Sequence, residues 1–314
     1  MLRLLLILLL TAAAGLARAA TPLVEIPYCL DYRGWFTISA TIAGKGPFDF
    51  VVDTGATRTL IFVNVVDRIG GVAPSGGPPV SVLGLSSSEK FPTFFVGDIA
   101  VGTEKLVNLR TVVLRDWTVG GRAPQGVLGL DFLARYKVEI DAERSVMRFY
   151  APDADLQLED RRGWRAAPMT RRPFNLDEGA LYVVTVRLNS FTVPVLLDTG
   201  AASTLVNGLA AARGATSSIR TTASDWTGSA RVTDALSSKG RAGVARFDRM
   251  RIGEARWTGV DLVVFDADIF AELGVANRPY GLLGANLFER RSVIFDFPGE
   301  RIIISPDLGA RKKP

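Results

Sequence analysis

Hydrophobic and polar residues alternate along much of this 314-residue chain, and the alternation occurs in two similar blocks. In the first block, residues 35–42 alternate and a short turn leads into an apolar run that ends at Val52. In the second, residues 182–188 alternate and a turn leads into an apolar run that ends at Leu197. A period of two, rich in Val, Ile, Thr and aromatic residues, is typical of β-strands. The sequence therefore predicts a mainly β protein, with helices confined to short pieces such as 207–213.

Each apolar run is followed by the same four residues, Asp-Thr-Gly-Ala, at 53–56 and at 198–201. Each copy then continues into a Thr-Leu-aliphatic triplet, at 59–61 and at 204–206. A single Asp-Thr-Gly is usually a turn. Because the motif is repeated in the same context, we interpret it as two matched loops that deliver two carboxylates to one site.

Two later elements recur in the same order. Gly-Val-Leu-Gly at 126–129 matches Gly-Leu-Leu-Gly at 281–284, and the apolar segments that end at Asp141 and Asp296 match each other. Both pairs are offset by 155 positions, whereas the Asp-Thr-Gly pair is offset by 145. A surface loop tolerates an insertion of that size. The pattern predicts an internal duplication.

The first 19 residues predict a secretory signal peptide. An apolar run over 4–17 follows a basic residue and ends in Ala-Arg-Ala at 17–19, a small-x-small cleavage site. The run is shorter than the roughly 20 apolar residues of a spanning helix. We therefore expect an exported protein, periplasmic or alternatively secreted, with no stable membrane insertion after cleavage.

The remaining chain is long enough for two modest domains with filled cores. Residues 151–178 contain several prolines and charges without a sustained apolar period, so we interpret them as a connector. We predict an N-terminal lobe over 20–165 and a C-terminal lobe over 166–314.

Composition excludes several functions. The formal charge is +5, falling to +3 without the two arginines of the signal, and the basic residues form no nucleic-acid footprint. The chain has no histidine, which excludes Ser/His/Asp, Cys/His and His-Glu-x-x-His zinc chemistry. Cys29 is the one cysteine, so no internal disulfide forms, and we expect its thiol to be buried and inert.

Hydrolytic chemistry without histidine leaves carboxylates, a Ser/Lys pair or an oxygen-ligated metal. The Ser-x-x-Lys spacing is missing from 88–90 and 237–239. Each Asp-Thr-Gly loop offers one carboxylate and lacks the Asp-x-Asp-x-Asp spacing of a calcium loop. Two acids close together can act as general base and general acid at once, because like charges prevent both from ionising. Asp53 and Asp198 are the candidates for that pair.

The chain resembles aspartic proteases of the pepsin and retropepsin clan, specifically the bacterial, exported, retropepsin-like kind with two fused lobes. The two Asp-Thr-Gly-Ala motifs carry the resemblance, together with the aliphatic-aliphatic-Gly elements at 127–129 and 282–284. It implies an all-β, bilobal acid-protease fold over about 25–305. Two homologous β-barrel-like lobes would be related by a pseudo-twofold axis, with a cleft between them and the later elements beneath the catalytic loops.

The resemblance also implies an aspartic-type endopeptidase that acts on an extended polypeptide through a water activated by Asp53 and Asp198. One proton is shared by the two acids in such enzymes, so their two pKa values separate. The resemblance implies no metal and no organic cofactor, and we expect a monomer. The residues that would support the catalytic loops are Thr54, Gly55, Ala56, Thr199, Gly200 and Ala201.

Alanine follows both Asp-Thr-Gly sequences, as in retropepsins, where pepsins usually have Ser or Thr that hydrogen-bonds a carboxylate. Without that bond the ionised form is stabilised less, which implies activity nearer neutral pH than in stomach-type enzymes.

Neither a pepsin-like flap tyrosine nor a Gly-rich retroviral flap stands in an obvious place. Our candidate flap is the hairpin over 80–90 with Gly84 near its tip, and the corresponding stretch of the second half, 224–232, offers Trp226. Both are candidate substrate-binding residues. An alternative function is a catalytically silent peptide-binding or assembly protein on the same scaffold, although retention of both acids argues against it.

Overall fold

The computed structural model describes residues 20–31, 33–84, 88–115, 123–174, 179–216, 231–233 and 239–309, with backbone alone for 231–233 and 239–241. The predicted signal peptide lies outside these residues, as does Trp226. Within the described part of the chain, every helix is too short or too polar to cross a bilayer.

The strands confirm the predicted all-β character. In the first half they are β1 Val24–Leu30, β2 Phe36–Ile42, β3 Lys45–Val52, β4 Leu60–Phe62, β5 Ala73–Pro74, β6 Val80–Leu83, β7 Ser88–Phe91, β8 Thr93–Val101, β9 Glu104–Leu114, β10 Gly126–Leu128, β11 Lys137–Asp141 and β12 Val146–Tyr150. In the second half they are β13 Arg165–Phe174, β14 Gly179–Leu188, β15 Phe191–Leu197, β16 Leu205–Val206, β17 Arg231–Thr233, β18 Lys239–Arg241, β19 Gly243–Ile252, β20 Ala255–Val264, β21 Gly281–Leu283, β22 Val293–Asp296 and β23 Arg301–Ile304.

Helices are short. The α-helices are α1 Val66–Ile69, α2 Leu130–Leu133, α3 Gly208–Gly214 and α4 Asp268–Glu272, and 3-10 turns lie at Val63–Val65, Leu158–Asp160 and Ala285–Phe288. The predicted helix near 207–213 is α3, and its N-cap is Asn207, whose side chain accepts a hydrogen bond from the Ala210 amide at 3.0 Å.

Each half closes into a small barrel with the same strand order. In the first half the ring runs β2, β3, β10, β4, β9, β8 and back to β2. In the second it runs β14, β15, β21, β16, β20, β19 and back to β14. The third strand of each ring is parallel to the second and antiparallel to the fourth. The internal duplication seen in the sequence is therefore a duplication of the fold.

A shared antiparallel sheet joins the two lobes. Strands β1, β12, β11, β22, β23 and β13 pair in that order, and β11 pairs with β22 across the lobe boundary, with Val138 opposite Phe295 and Ile140 opposite Val293. These four side chains are almost completely buried. Burial of these apolar side chains stabilises the contact between the lobes, at about 25 cal/mol per Å² of buried surface.

Strands β1 and β13 each belong to two sheets. The first part of β1 pairs with β12 and its last part with β2, while the first part of β13 pairs with β23 and its last part with β14. Part of the segment 151–178, interpreted as a connector because it lacks a sustained apolar period, therefore forms the strand β13. Within β13, Ala167 and Met169 point inward while the prolines and arginines lie outward, which hides the alternation in the sequence.

The expectation that the Cys29 thiol is buried was wrong. Cys29 is a free cysteine and is exposed. In β1 the inward positions are Val24 and Tyr28, and side chains next to each other along a strand point to opposite faces. Cys29 follows Tyr28 directly, so it must point outward.

Candidate active site

The two Asp-Thr-Gly loops begin where β3 and β15 end, and each is supported by the strand parallel to it. The Asp53 amide donates to the Leu128 carbonyl at 3.0 Å, and the Asp198 amide donates to the Leu283 carbonyl at 3.1 Å. Further along each loop, the Leu130 amide donates to the Ala56 carbonyl at 2.8 Å. The equivalent bond of the second lobe is from Ala285 to Ala201, also at 2.8 Å. The later Gly-containing elements thus lie beneath the loops.

Each aspartate faces the glycine of the opposite loop. A Cβ atom built on Gly55 would lie 2.5 Å from the Asp198 Cγ, and one built on Gly200 would overlap the Asp53 carboxyl group. No side chain fits at either position, so glycine is required for the close approach of the lobes.

Thr54 and Thr199 tie the loops together across the pseudo-twofold axis. The Thr54 amide donates to the Thr199 hydroxyl at 3.0 Å, and the Thr199 amide donates to the Thr54 hydroxyl at 3.0 Å. The Thr199 hydroxyl also donates to the Val52 carbonyl at 2.6 Å. Both threonines are 1% exposed, so these bonds are shielded from water.

The carboxyl groups of Asp53 and Asp198 are half-buried and lie close enough for each to shift the pKa of the other. The amides of Gly55 and Ala56 donate to Asp53 Oδ1 at 2.7 and 3.1 Å, and the Ala201 amide donates to Asp198 Oδ1 at 2.9 Å. These amides favour an ionised oxygen on each side.

Burial raises the pKa of Asp53 and raises that of Asp198 well above its usual range. The negative charge of Asp53 raises the pKa of Asp198 further, because two carboxylates in contact repel each other. Both effects favour the state in which the pair holds one proton. It offers a hydrogen-bond donor and a proton acceptor side by side, which is the requirement for concerted general acid and base catalysis.

A second layer of polar residues holds the ends of both loops. The Thr59 amide and hydroxyl donate to Asp131 Oδ1 at 2.9 and 2.6 Å, and the Thr59 hydroxyl accepts from the Gly129 amide at 3.0 Å. The second lobe repeats this arrangement with Thr204, Asn286 and Gly284, at 2.9, 2.9 and 3.0 Å.

Asp131 and Asn286 were not singled out from the sequence. Their signal was present, because they are separated by the same 155 positions as the flanking motifs.

The candidate flap hairpin exists as the paired strands β6 and β7. Its side chains Val80, Val82 and Phe91 pack on the same apolar cluster as Ala56 and Ala202 from the two catalytic loops. Gly84 follows β6 directly and is buried. In the second lobe β17 pairs with β18 at the corresponding point in the strand order, and residues 224–230 of the predicted stretch lie outside the described residues.

The donor set around the pair is poor for a metal ion. Among the residues that the structure describes, no group of three or more His, Cys, Asp and Glu side chains is arranged to hold a metal ion. The Asp53 and Asp198 oxygens accept hydrogen bonds from main-chain amides, which cannot bind a metal ion as ligands.

Comparison with known proteins bears on the fold and on the family. The chain is similar in structure to the aspartic proteinase from Irpex lacteus, with a TM-score of 0.52 and 13% identity over 92% of this chain and 99% of that one. No curated protein matches in sequence. The family model described as aspartyl protease matches residues 38–132 and 184–287, which is more than half of the chain and includes both loops. The chain belongs to the aspartyl protease family.

Proposed function

We propose that this protein is an aspartic endopeptidase whose catalytic groups are Asp53 and Asp198. The observation that carries the proposal is the contact between the two carboxyl groups, one from each lobe, inside the reciprocal bonds of Thr54 and Thr199. A silent peptide-binding protein would not need the two acids to lie against each other, and burying both raises the free energy of the folded state.

In the proposed reaction, the ionised carboxylate accepts a proton from a water molecule as the water oxygen bonds to the carbonyl carbon of the peptide. The protonated carboxyl gives its proton to the carbonyl oxygen, which produces a neutral tetrahedral diol. The C–N bond then breaks as one acid protonates the leaving nitrogen and the other takes a proton from a diol hydroxyl. The pair ends with one proton, as it began.

We propose an extended polypeptide as the substrate, lying between the lobes over both catalytic loops. The hairpin of β6 and β7 is suited to cover it, because its apolar side chains share a cluster with Ala56 and Ala202 at the loops. The retropepsin-like assignment belongs to the same proposal and draws support from alanine at both 56 and 201.

The decisive experiment compares the purified protein with Asp53→Asn and Asp198→Asn on a denatured protein and a peptide library between pH 4 and 7. Each substitution should lower the cleavage rate at least about 10³-fold, because the two acids act as one unit. Asp98→Asn is the matched control: Asp98 also accepts a main-chain hydrogen bond, at 2.9 Å from Asn108, but on the β8–β9 hairpin. Equal cleavage by wild type and both dyad variants would overturn the proposal.

We also propose export to the periplasm, on the basis of the N-terminal segment. Cell fractionation followed by N-terminal sequencing should find the protein in the periplasmic fraction, beginning at Ala20. A cytoplasmic protein that retains Met1 would contradict export, without bearing on the peptidase proposal.

A further inference from the structure

The second layer beneath the catalytic loops is symmetric in hydrogen bonding and asymmetric in charge. Asp131 and Asn286 each use Oδ1 to accept from the amide and hydroxyl of a threonine. An amide oxygen accepts these bonds as a carboxylate oxygen does. The second lobe therefore shows that a neutral side chain is sufficient to hold the loop, so the negative charge of Asp131 is not needed for that purpose.

Keeping an acid at position 131 has a free-energy cost. Asp131 is half-buried, and burial raises its pKa above the usual range despite the bonds from Thr59 and from the Phe132 amide. Asparagine would make the same bonds to Thr59 without that cost. The negative charge of Asp131 therefore destabilises the folded state and is not needed to hold the loop. We infer that it has another role.

Asp131 is connected directly to the loop of Asp53. Its own amide donates to the Thr57 carbonyl at 3.2 Å, and Thr59 is only six positions after Asp53. The charge of Arg58 favours the ionised form of Asp131. The Thr59 hydroxyl donates to Asp131, and the Thr111 hydroxyl donates to the Thr59 carbonyl. Arg58 is exposed, whereas Asp131 is half-buried. Solvent therefore screens the positive charge of Arg58 more strongly than the negative charge of Asp131.

The matching positions in the other lobe are neutral. Ser203 stands where the first lobe has Arg58, and Asn286 stands where it has Asp131. The hydrogen bonds beneath the two loops are therefore matched, whereas the charges at these two positions are not.

We propose that Asp131 is a positioning residue for the Asp53 loop whose negative charge, absent from Asn286 at the matching position, tunes the proton held by the catalytic pair. The negative charge disfavours a second negative charge nearby, so the pair holds its shared proton to higher pH. This inference rests on the proposed peptidase function and extends it to the working pH range.

The test is the pH dependence of kcat/KM for wild type, Asp131→Asn and Asn286→Asp. Asp131→Asn keeps the acceptor and removes the charge, so the alkaline limb of the profile should move to lower pH by on the order of 0.5 unit. Asn286→Asp should move it to higher pH by less, because Asn286 is exposed and solvent screens the new charge. Asp98→Asn, with the same change in net charge, should leave the profile unmoved.

A purely structural role for Asp131 predicts a different result. Asp131→Asn would then change the unfolding temperature or the overall rate while both limbs kept their positions, and this outcome would overturn the inference. If Asn286→Asp moves the profile in the same direction as Asp131→Asn, the charge explanation also fails.

A measurement that does not need turnover separates this inference from the peptidase proposal. The free energy of unfolding is measured from pH 3 to 8 for wild type, Asp198→Asn, Asp131→Asn and the double variant. Coupling between positions 131 and 198 that grows as pH rises supports the charge effect even if no substrate is cleaved. Additive effects at every pH would exclude it.

Discussion

Thr54 and Thr199 exchange equivalent hydrogen bonds at 3.0 Å, amide to hydroxyl in both directions. Neither loop can adopt its observed conformation without the other, because each supplies the acceptor for a buried amide of its partner. The geometry of the acids that precede these threonines is thus a property of both lobes together.

The two threonines differ in one bond, which gives the first prediction. The Thr199 hydroxyl also donates to the Val52 carbonyl, so Thr199→Val should destabilise the protein more than Thr54→Val. An unsatisfied buried amide costs about 1–3 kcal/mol, and the lost second bond adds to it. Urea denaturation measures both, with Thr→Ser at each site as the control that keeps the hydroxyl. Equal losses for the two valine variants would contradict the prediction.

The raised pKa of Asp198 predicts how stability changes with pH. The folded state holds this proton to a higher pH than the unfolded chain, whose pKa is near the ordinary 3.8. The resulting stabilisation is complete below that value and is lost as pH rises through the folded-state pKa. Asp198→Asn should therefore gain free energy of unfolding relative to wild type between pH 4 and 7. Denaturation curves across this range test it, and a constant difference at all pH values would refute it.

Close contact at the loops predicts that alanine is not tolerated at Gly55 or Gly200. The added methyl group would force the Asp53 and Asp198 carboxyl groups apart, so cleavage should fall more than tenfold and stability by about 1–3 kcal/mol. Gly208→Ala is the control, since its Cβ would lie 3.4 Å from the nearest atom and the site is in α3. There we expect unchanged or slightly increased stability.

The shared sheet contains a buried carboxylate whose partners can be tested. Tyr150 donates to Glu139 Oε2 at 2.8 Å, and Glu139 is 3% exposed, with Arg161 as a further partner. Tyr150→Phe should cost about 1–3 kcal/mol, because water cannot replace the lost donor. Tyr136→Phe removes a similar bond to Glu104 at 2.6 Å, but Glu104 is only half-buried. The second variant should lose less than about 1 kcal/mol in the same denaturation experiment.

Repetition in the sequence was a strong guide to the fold and to the position of the acids. The Asp-Thr-Gly loops and the later Gly elements could be recognised in the sequence, because buried strands and tight loops accept few residue types. That Asp53 and Asp198 carry out catalysis stays a prediction, as do the lobe limits at 165 and 166.

Other features of the structure depend on contacts between residues far apart in the sequence, which a local pattern does not predict. Cys29 was expected inside because free cysteine is usually buried, and the pleat of β1 overrides that preference. β13 was missed because its edge positions contain prolines and arginines. The 155-position offset marked Asp131, but its contact with Thr59 is visible only in the structure.

The ladder between β11 and β22 has a kinetic consequence. Since both lobes belong to one chain and share a sheet, bringing the two acids together is a first-order process. Halves on separate molecules would assemble the site only above their dissociation constant. In this protein, dilution leaves the fraction of intact sites unchanged. A substitution that weakens the contact between the lobes lowers that fraction by increasing transient opening of the β11–β22 pairing.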